Sequence, residues 1–119
     1  MKEWWQKFFI PLAGEVMFSP REAQAKVEVD QVLKNVRLPK GAKILDLACG
    51  TGRHSIQFAK KDYDVTGLDF TLGFIKTAMQ SSDKHKVKVN FVRGDMKKLK
   101  PHFGANEFDL VETWRSLRY

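Results

Sequence analysis

The segment Ile44-Leu45-Asp46-Leu47-Ala48-Cys49-Gly50-Thr51-Gly52 constrains this chain more than any other. An apolar run ends in a carboxylate, and small residues with two glycines follow at once. Such a run is a buried strand that enters a tight loop, where backbone can come close to a ligand. A second run, Val65-Thr66-Gly67-Leu68, ends in Asp69, and a third, Val87 to Val92, is followed by Gly94-Asp95. Three strands, each delivering an acid at its C-terminal end, describe a nucleotide-type pocket at the lip of a parallel sheet.

Helical patterns alternate with these strands. Residues 3–12 carry Trp5, Phe8, Phe9 and Leu12 on one helical stripe, which Pro11 bends or ends. These aromatics are read as packing on the domain or as a lid over the site. Ser19-Pro20-Arg21-Glu22 is a helix start, with Ser19 as N-cap and Glu22 closing a capping box. That helix shows Val29, Val32, Leu33 and Val36 on one face and stops at Leu38-Pro39-Lys40-Gly41. The spacing predicts strands over 43–48, 64–69 and 87–93, and a fourth from Phe108 to about Thr113. Between them it predicts a helix near 52–61 with Ile56 and Ala59 inward. Another is capped by Thr71, with Leu72, Ile75, Ala78 and Met79 inward, and Ser81 to Lys86 turns the chain. Strands alternating with helices at this spacing imply right-handed crossovers and an α/β fold.

The loop after the first strand departs from the dinucleotide pattern, because Gly50-Thr51-Gly52-Arg53-His54-Ser55 lacks the third glycine. Asp46 repels a pyrophosphate but attracts an ammonium group. Asp69 is placed to accept two hydrogen bonds from a ribose diol, and Phe70 to lie against a purine. Asp95 can accept from an exocyclic amine, and the Met96 backbone N–H can reach a ring nitrogen. These groups select adenosine carrying a cationic amino acid tail.

Four pieces in register now resemble the N-terminal part of a class I, Rossmann-like S-adenosylmethionine-dependent methyltransferase. They are Leu45 to Gly52, Val65 to Asp69, Gly94-Asp95-Met96 and Phe108-Asp109-Leu110-Val111. The resemblance implies a three-layer parallel sheet of order 3-2-1-4 and S-adenosyl-L-methionine as cofactor, with S-adenosyl-L-homocysteine as product. It implies that Asp46 and the Ala48, Cys49 and Gly50 backbone hold the methionine portion beside Gly52. It further implies that Asp69 binds the ribose, that Phe70, Asp95 and Met96 take the adenine, and that Glu112 lies near the transferable methyl. Ala48 stands where such proteins often have glycine. The competing readings are a nicotinamide-dependent oxidoreductase domain and a non-catalytic interaction module on the same fold.

The family sheet has seven strands, and this sequence ends after the fourth. The chain is therefore expected to be one incomplete domain, with N-terminal helices over 1–39 and cofactor-binding βα units over 40–119. A second copy or a partner chain is expected along the bare edge of strand four. The methyl acceptor, a small molecule or an RNA, is not readable. The net charge of +7 and the lysines at 84, 86, 88, 97, 98 and 100 are read as a solvated face, with an anionic partner as the sharper alternative. No apolar run reaches the roughly 20 residues of a membrane span. The lone Cys49 excludes an internal disulfide, is read as a packing residue, and fits a cytoplasmic protein. His54, His85 and His102 lack metal-ligand spacing and are read as surface or helix residues, with His54 nearest the pocket mouth.

Overall fold

The structure is a computed structural model and describes residues 20–95, 97–98, 103–104 and 107–113. The expected helix over 3–12, the Ser19 cap, Met96, His102 and the tail from Trp114 lie outside the described residues.

Helix α1 (Pro20–Asn35) opens on its proline and leads to β1 (Lys43–Leu47), α2 (Arg53–Lys60), β2 (Asp64–Asp69), α3 (Leu72–Lys84), β3 (Asn90–Arg93) and β4 (Leu110–Glu112). The four strands form one sheet of order β3-β2-β1-β4, and every pairing is parallel. The expected order and the expected parallel pairing are both present. Strands β3 and β4 are shorter than predicted: ladder pairing starts at Asn90, opposite Thr66, and at Leu110, opposite Ile44.

The register puts the tips of the strands side by side. Asp46 faces Gly67 on one neighbour and Glu112 on the other, while Asp69 faces Arg93. Because side chains alternate along a strand, Ile44 and Asp46 share a sheet face with Val65, Gly67 and Phe91. On that face Ile44 and Val65 pack with Phe58 of α2 and Val29 of α1, all at most 2% exposed. Full burial of a side chain like Phe58 stabilises by about 1.5–3 kcal/mol, so this four-residue cluster anchors both helices to the sheet.

Helix α1 buries Ala25, Glu28 and Val29, with Val32 and Leu33 partly buried behind them. The stripe therefore starts one turn earlier than predicted and contains an acid. Helix α2 buries five consecutive residues, His54 to Phe58, because it lies between the sheet and α1. A one-faced pattern of Ile56 and Ala59 under-reads such a helix. In α3 the inward residues are Ile75, Ala78 and Ser82, whereas Leu72 and Met79 are exposed, contrary to the predicted face. The helix also runs on through Ser81 to Lys84. Ser82 is tolerated inside because its Oγ–H donates to the Met79 carbonyl at 2.9 Å. Thr71 occupies the N-cap without a side-chain hydrogen bond.

Candidate functional site

The loop from Leu47 to Gly52 is built from left-handed residues: Ala48 at φ 54°, Gly50 at φ 58° and Gly52 at φ 84°. Gly52 is the N-cap of α2, and a Cβ there would lie 2.9 Å from Phe91 Cζ and 3.1 Å from Ala78 Cβ. Both the torsion and the contact require glycine. Ala48 adopts the same torsion with a side chain, a conformation that costs roughly 1–2 kcal/mol.

Strand β2 fastens this loop. The Cys49 N–H donates to the Leu68 carbonyl at 2.9 Å, and the Gly50 N–H donates to Asp69 Oδ2 at 2.9 Å. Asp69 Oδ1 accepts from the Thr71 N–H, also at 2.9 Å. Each carboxylate oxygen retains a lone pair, so the half-buried Asp69 still has acceptor capacity toward a ligand. The Gly94 N–H donates to the Asp69 carbonyl at 3.0 Å and brings the third strand tip alongside. Phe70 is 66% exposed beneath the Arg93 guanidinium, 5.6 Å from its ring, and the Arg93 Nε–H donates to the Phe70 carbonyl. Asp95 stands at the rim and closes its own turn, with Oδ1 accepting from the Lys97 N–H at 2.9 Å.

Beneath the loop lies a buried polar network. Asp46 is 3% exposed and accepts from Ser55 Oγ–H at 2.7 Å. Its strand neighbour Glu112 is also buried. His54 sits between two acids, with Nε2 2.7 Å from Glu28 Oε1 and Nδ1 3.3 Å from Glu112 Oε1. Gln24 Nε2–H donates to Glu28 Oε2 at 3.2 Å. Glu112 Oε2 is buried and finds no donor among the described residues.

Charge placement explains the titration of these groups. Burial and the neighbouring Glu112 carboxylate push Asp46 well above the usual carboxylate range, against the Ser55 hydrogen bond. Burial alone would lower His54, but its hydrogen bonds to Glu112 and Glu28 outweigh that and raise it to about 9. Burial, followed by the charges of Asp46 and Asp69, raises the Cys49 thiol and leaves it unreactive at neutral pH. Two acids directly opposite on adjacent strands repel one another. The His54 imidazolium offsets part of this repulsion, and a proton held between Asp46 and Glu112, or an added cation, relieves the rest. Among the described residues no group of three or more His, Cys, Asp or Glu is arranged to hold a metal ion.

The structure thus brings Asp46 and Glu112 together under the loop and joins Asp69 to Gly50, while Phe70 and Asp95 occupy the rim. His54 is not at a pocket mouth; it is buried, because two acids hold its ring. Sequence reasoning missed Glu28 and Ser55. An acid within an otherwise apolar helical stripe was the available signal for Glu28, and a hydroxyl on the first turn after the glycine loop was the signal for Ser55.

A parallel 3-2-1-4 sheet with a glycine loop after β1 and acids at its strand tips defines a Rossmann-like α/β domain. The chain belongs to the methyltransferase domain family, whose model matches residues 44–119. It is 35% identical over 98 residues to a demethylmenaquinone methyltransferase of Staphylococcus carnosus, an alignment covering 80% of this chain and 39% of that protein. Among solved structures it is similar to the PH0226 protein of Pyrococcus horikoshii, with a TM-score of 0.70, 23% identity, and coverage of 93% of this chain and 50% of that one. It is also similar to the tRNA (uracil-54, C5)-methyltransferase of Pyrococcus abyssi in complex with S-adenosyl-L-homocysteine. There the TM-score is 0.61 and the identity 28%, covering 74% of this chain and 21% of that one. The chain therefore spans well under half of the curated relative it matches. Among the described residues no helix is long and apolar enough to cross a membrane.

Proposed function

We propose that this chain forms the cofactor-binding part of an S-adenosyl-L-methionine-dependent methyltransferase. The single observation that carries the reading is the buried Asp46 and Glu112 pair, neighbours in register, with one carboxylate oxygen lacking a donor. A site that conceals two repelling acids beside an opened backbone loop is short of one cation. The α-ammonium of a methionine moiety supplies it, and a pyrophosphate does not. The residues present therefore fit this cofactor better than a nicotinamide dinucleotide.

In this reading Asp46 and Glu112 take the ammonium, and the backbone of Ala48, Cys49, Gly50 and Gly52 lines the methionine chain. Asp69 accepts from the ribose hydroxyls. Phe70 packs on the adenine, and Asp95 with the Met96 N–H reads its edge. The bound cofactor supplies an electrophilic methyl carbon on a sulfonium centre. The protein aligns that carbon, keeps the loop in place and screens the acids from water. The acceptor belongs to residues outside this chain's described site. A small molecule is our first reading, and the net charge of +7 favours RNA as the second. We further propose that the compartment is the cytoplasm. Strand β4 pairs only with β1 among the described residues and leaves Val111 52% exposed, so this edge is our choice for a partner chain or second copy.

Calorimetric titration tests the core of the proposal: S-adenosyl-L-homocysteine binds and NADH does not. Asp69→Ala weakens the first by about 1.5–3 kcal/mol through loss of charged hydrogen bonds. Binding of NADH in preference, or an unchanged affinity in the variant, removes the assignment.

A further inference from the structure

Helix α1 lies outside the glycine loop and the strand tips, yet it sends an acid into the site. Glu28 is 2% exposed, and no ordinary packing role calls for a carboxylate there. Its partner His54 contacts carboxylate oxygens with both ring nitrogens. A neutral imidazole has one N–H and can donate to only one of them. With both acids ionised, the bridge from Glu28 to Glu112 therefore needs the ring as an imidazolium.

The charge count gives the bridge a purpose. Glu28 neutralises His54, so the imidazolium can hold Oε1 of Glu112 without consuming the negative charge of the site. Oε2 of Glu112 is then left buried, with only the Asp46 carboxyl beside it among the described residues. We propose that His54 and Glu28 are positioning residues, which clamp Glu112 for the cationic end of the ligand and make docking of helix α1 part of cofactor binding. This inference rests on the proposed function above.

Among the described residues, the titratable groups facing His54 include Glu28 from α1, Glu112 from β4 and Asp46 from β1. When the ring loses a proton, the remaining N–H stays with the closer acid, Glu28, and the ring lone pair turns on Glu112. Ligand affinity then falls. Binding and protonation are reciprocal, so the ligand in turn raises the midpoint at which His54 titrates.

The test uses the full 119-residue chain and S-adenosyl-L-homocysteine, whose amino acid end is a zwitterion. Affinity is measured calorimetrically from pH 6 to 10 for wild type, His54→Gln and Glu28→Gln, and the His54 ring is followed by nitrogen-15 NMR. The ligand's own amine titrates equally in all three proteins, so ratios between them isolate His54. At pH 7 the His54→Gln variant is expected to bind at least tenfold more weakly, with that ratio shrinking above pH 9. Glu28→Gln should lower the His54 midpoint by at least one pH unit and weaken binding at pH 8 at least threefold. Ligand should raise the midpoint in wild type. Wild-type affinity and pH profile in both variants would overturn the inference. So would a singly protonated ring at pH 7, or a midpoint that falls on adding ligand, which would mean that imidazolium and ammonium compete for Glu112. If His54→Gln does not fold, Glu28→Gln and the wild-type ring titration decide the matter. Failure of wild type itself to bind the ligand would instead refute the proposed function, and this inference with it.

Discussion

Replacing Asp46 with asparagine should make the unliganded protein more stable. Asp46 and Glu112 are opposed on neighbouring strands, which run about 5 Å apart. Two full charges at that separation repel by about 3 kcal/mol at an effective dielectric constant of 20. A shared proton already relieves part of this, so the expected gain for Asp46→Asn is about 1–2 kcal/mol at pH 8. The asparagine carbonyl keeps the hydrogen bond from Ser55 Oγ. The pH dependence identifies the cause. The folded-state pKa of Asp46 is raised above its ordinary value of 3.8, so between those two values the native state holds a proton that the unfolded chain has lost. Wild-type stability therefore falls as pH rises from about 4, whereas asparagine does not titrate. The two proteins should have equal stability near pH 3.5 and diverge above it. Urea unfolding at half-unit pH steps measures this directly. The same variant should bind S-adenosyl-L-homocysteine more weakly, giving a protein that is sturdier and less able to hold its ligand. A variant less stable than wild type at pH 8, or a difference independent of pH, would refute the repelling-pair argument.

The His54 bridge should appear in stability as well. Its folded pKa of about 9 lies above the ordinary 6.5, so its contribution is complete below pH 6.5 and is lost as pH climbs to 9; denaturation midpoints of wild type and His54→Gln should converge across that window. Gly67→Ala would place a Cβ 2.8 Å from Phe91 Cδ1 and 2.9 Å from Ser55 Oγ. It should cost about 1–3 kcal/mol, and adding Phe91→Leu should recover part of the loss in a double-mutant cycle. Ala48→Gly, at a left-handed torsion, should raise the thermal midpoint by an amount equivalent to about 0.5–1 kcal/mol; a lower midpoint would show that the loop is not strained.

Strand β2 and the order of the sheet were legible because apolar runs ending in acids repeat at βα spacing, and a parallel sheet admits few connections. The loop at Ala48 to Gly52 was legible for the same reason. The inner face of α3 was not. Leu72 and Met79 outrank Ser82 in hydrophobicity, yet the helix turns Ser82 inward because its hydroxyl is satisfied by the turn below. Glu28, His54 and Ser55 escaped because burial of polar groups depends on partners that are distant in sequence: Glu28 and Glu112 each contact the histidine between them. Asp46 was correctly singled out as an acid at a strand tip. That its neighbour would be a second acid follows from register, which the sequence does not display.

Asp69 grips Gly50 on one side and Thr71 on the other with its two oxygens, so one side chain ties two consecutive turns into a single rigid rim. Little conformational freedom is left there for the proposed nucleoside ligand to quench, and its arrival would resemble a key meeting finished metal. Cutting that tie would also slacken the rim, so part of any lost affinity in Asp69→Ala would be the cost of re-forming the rim.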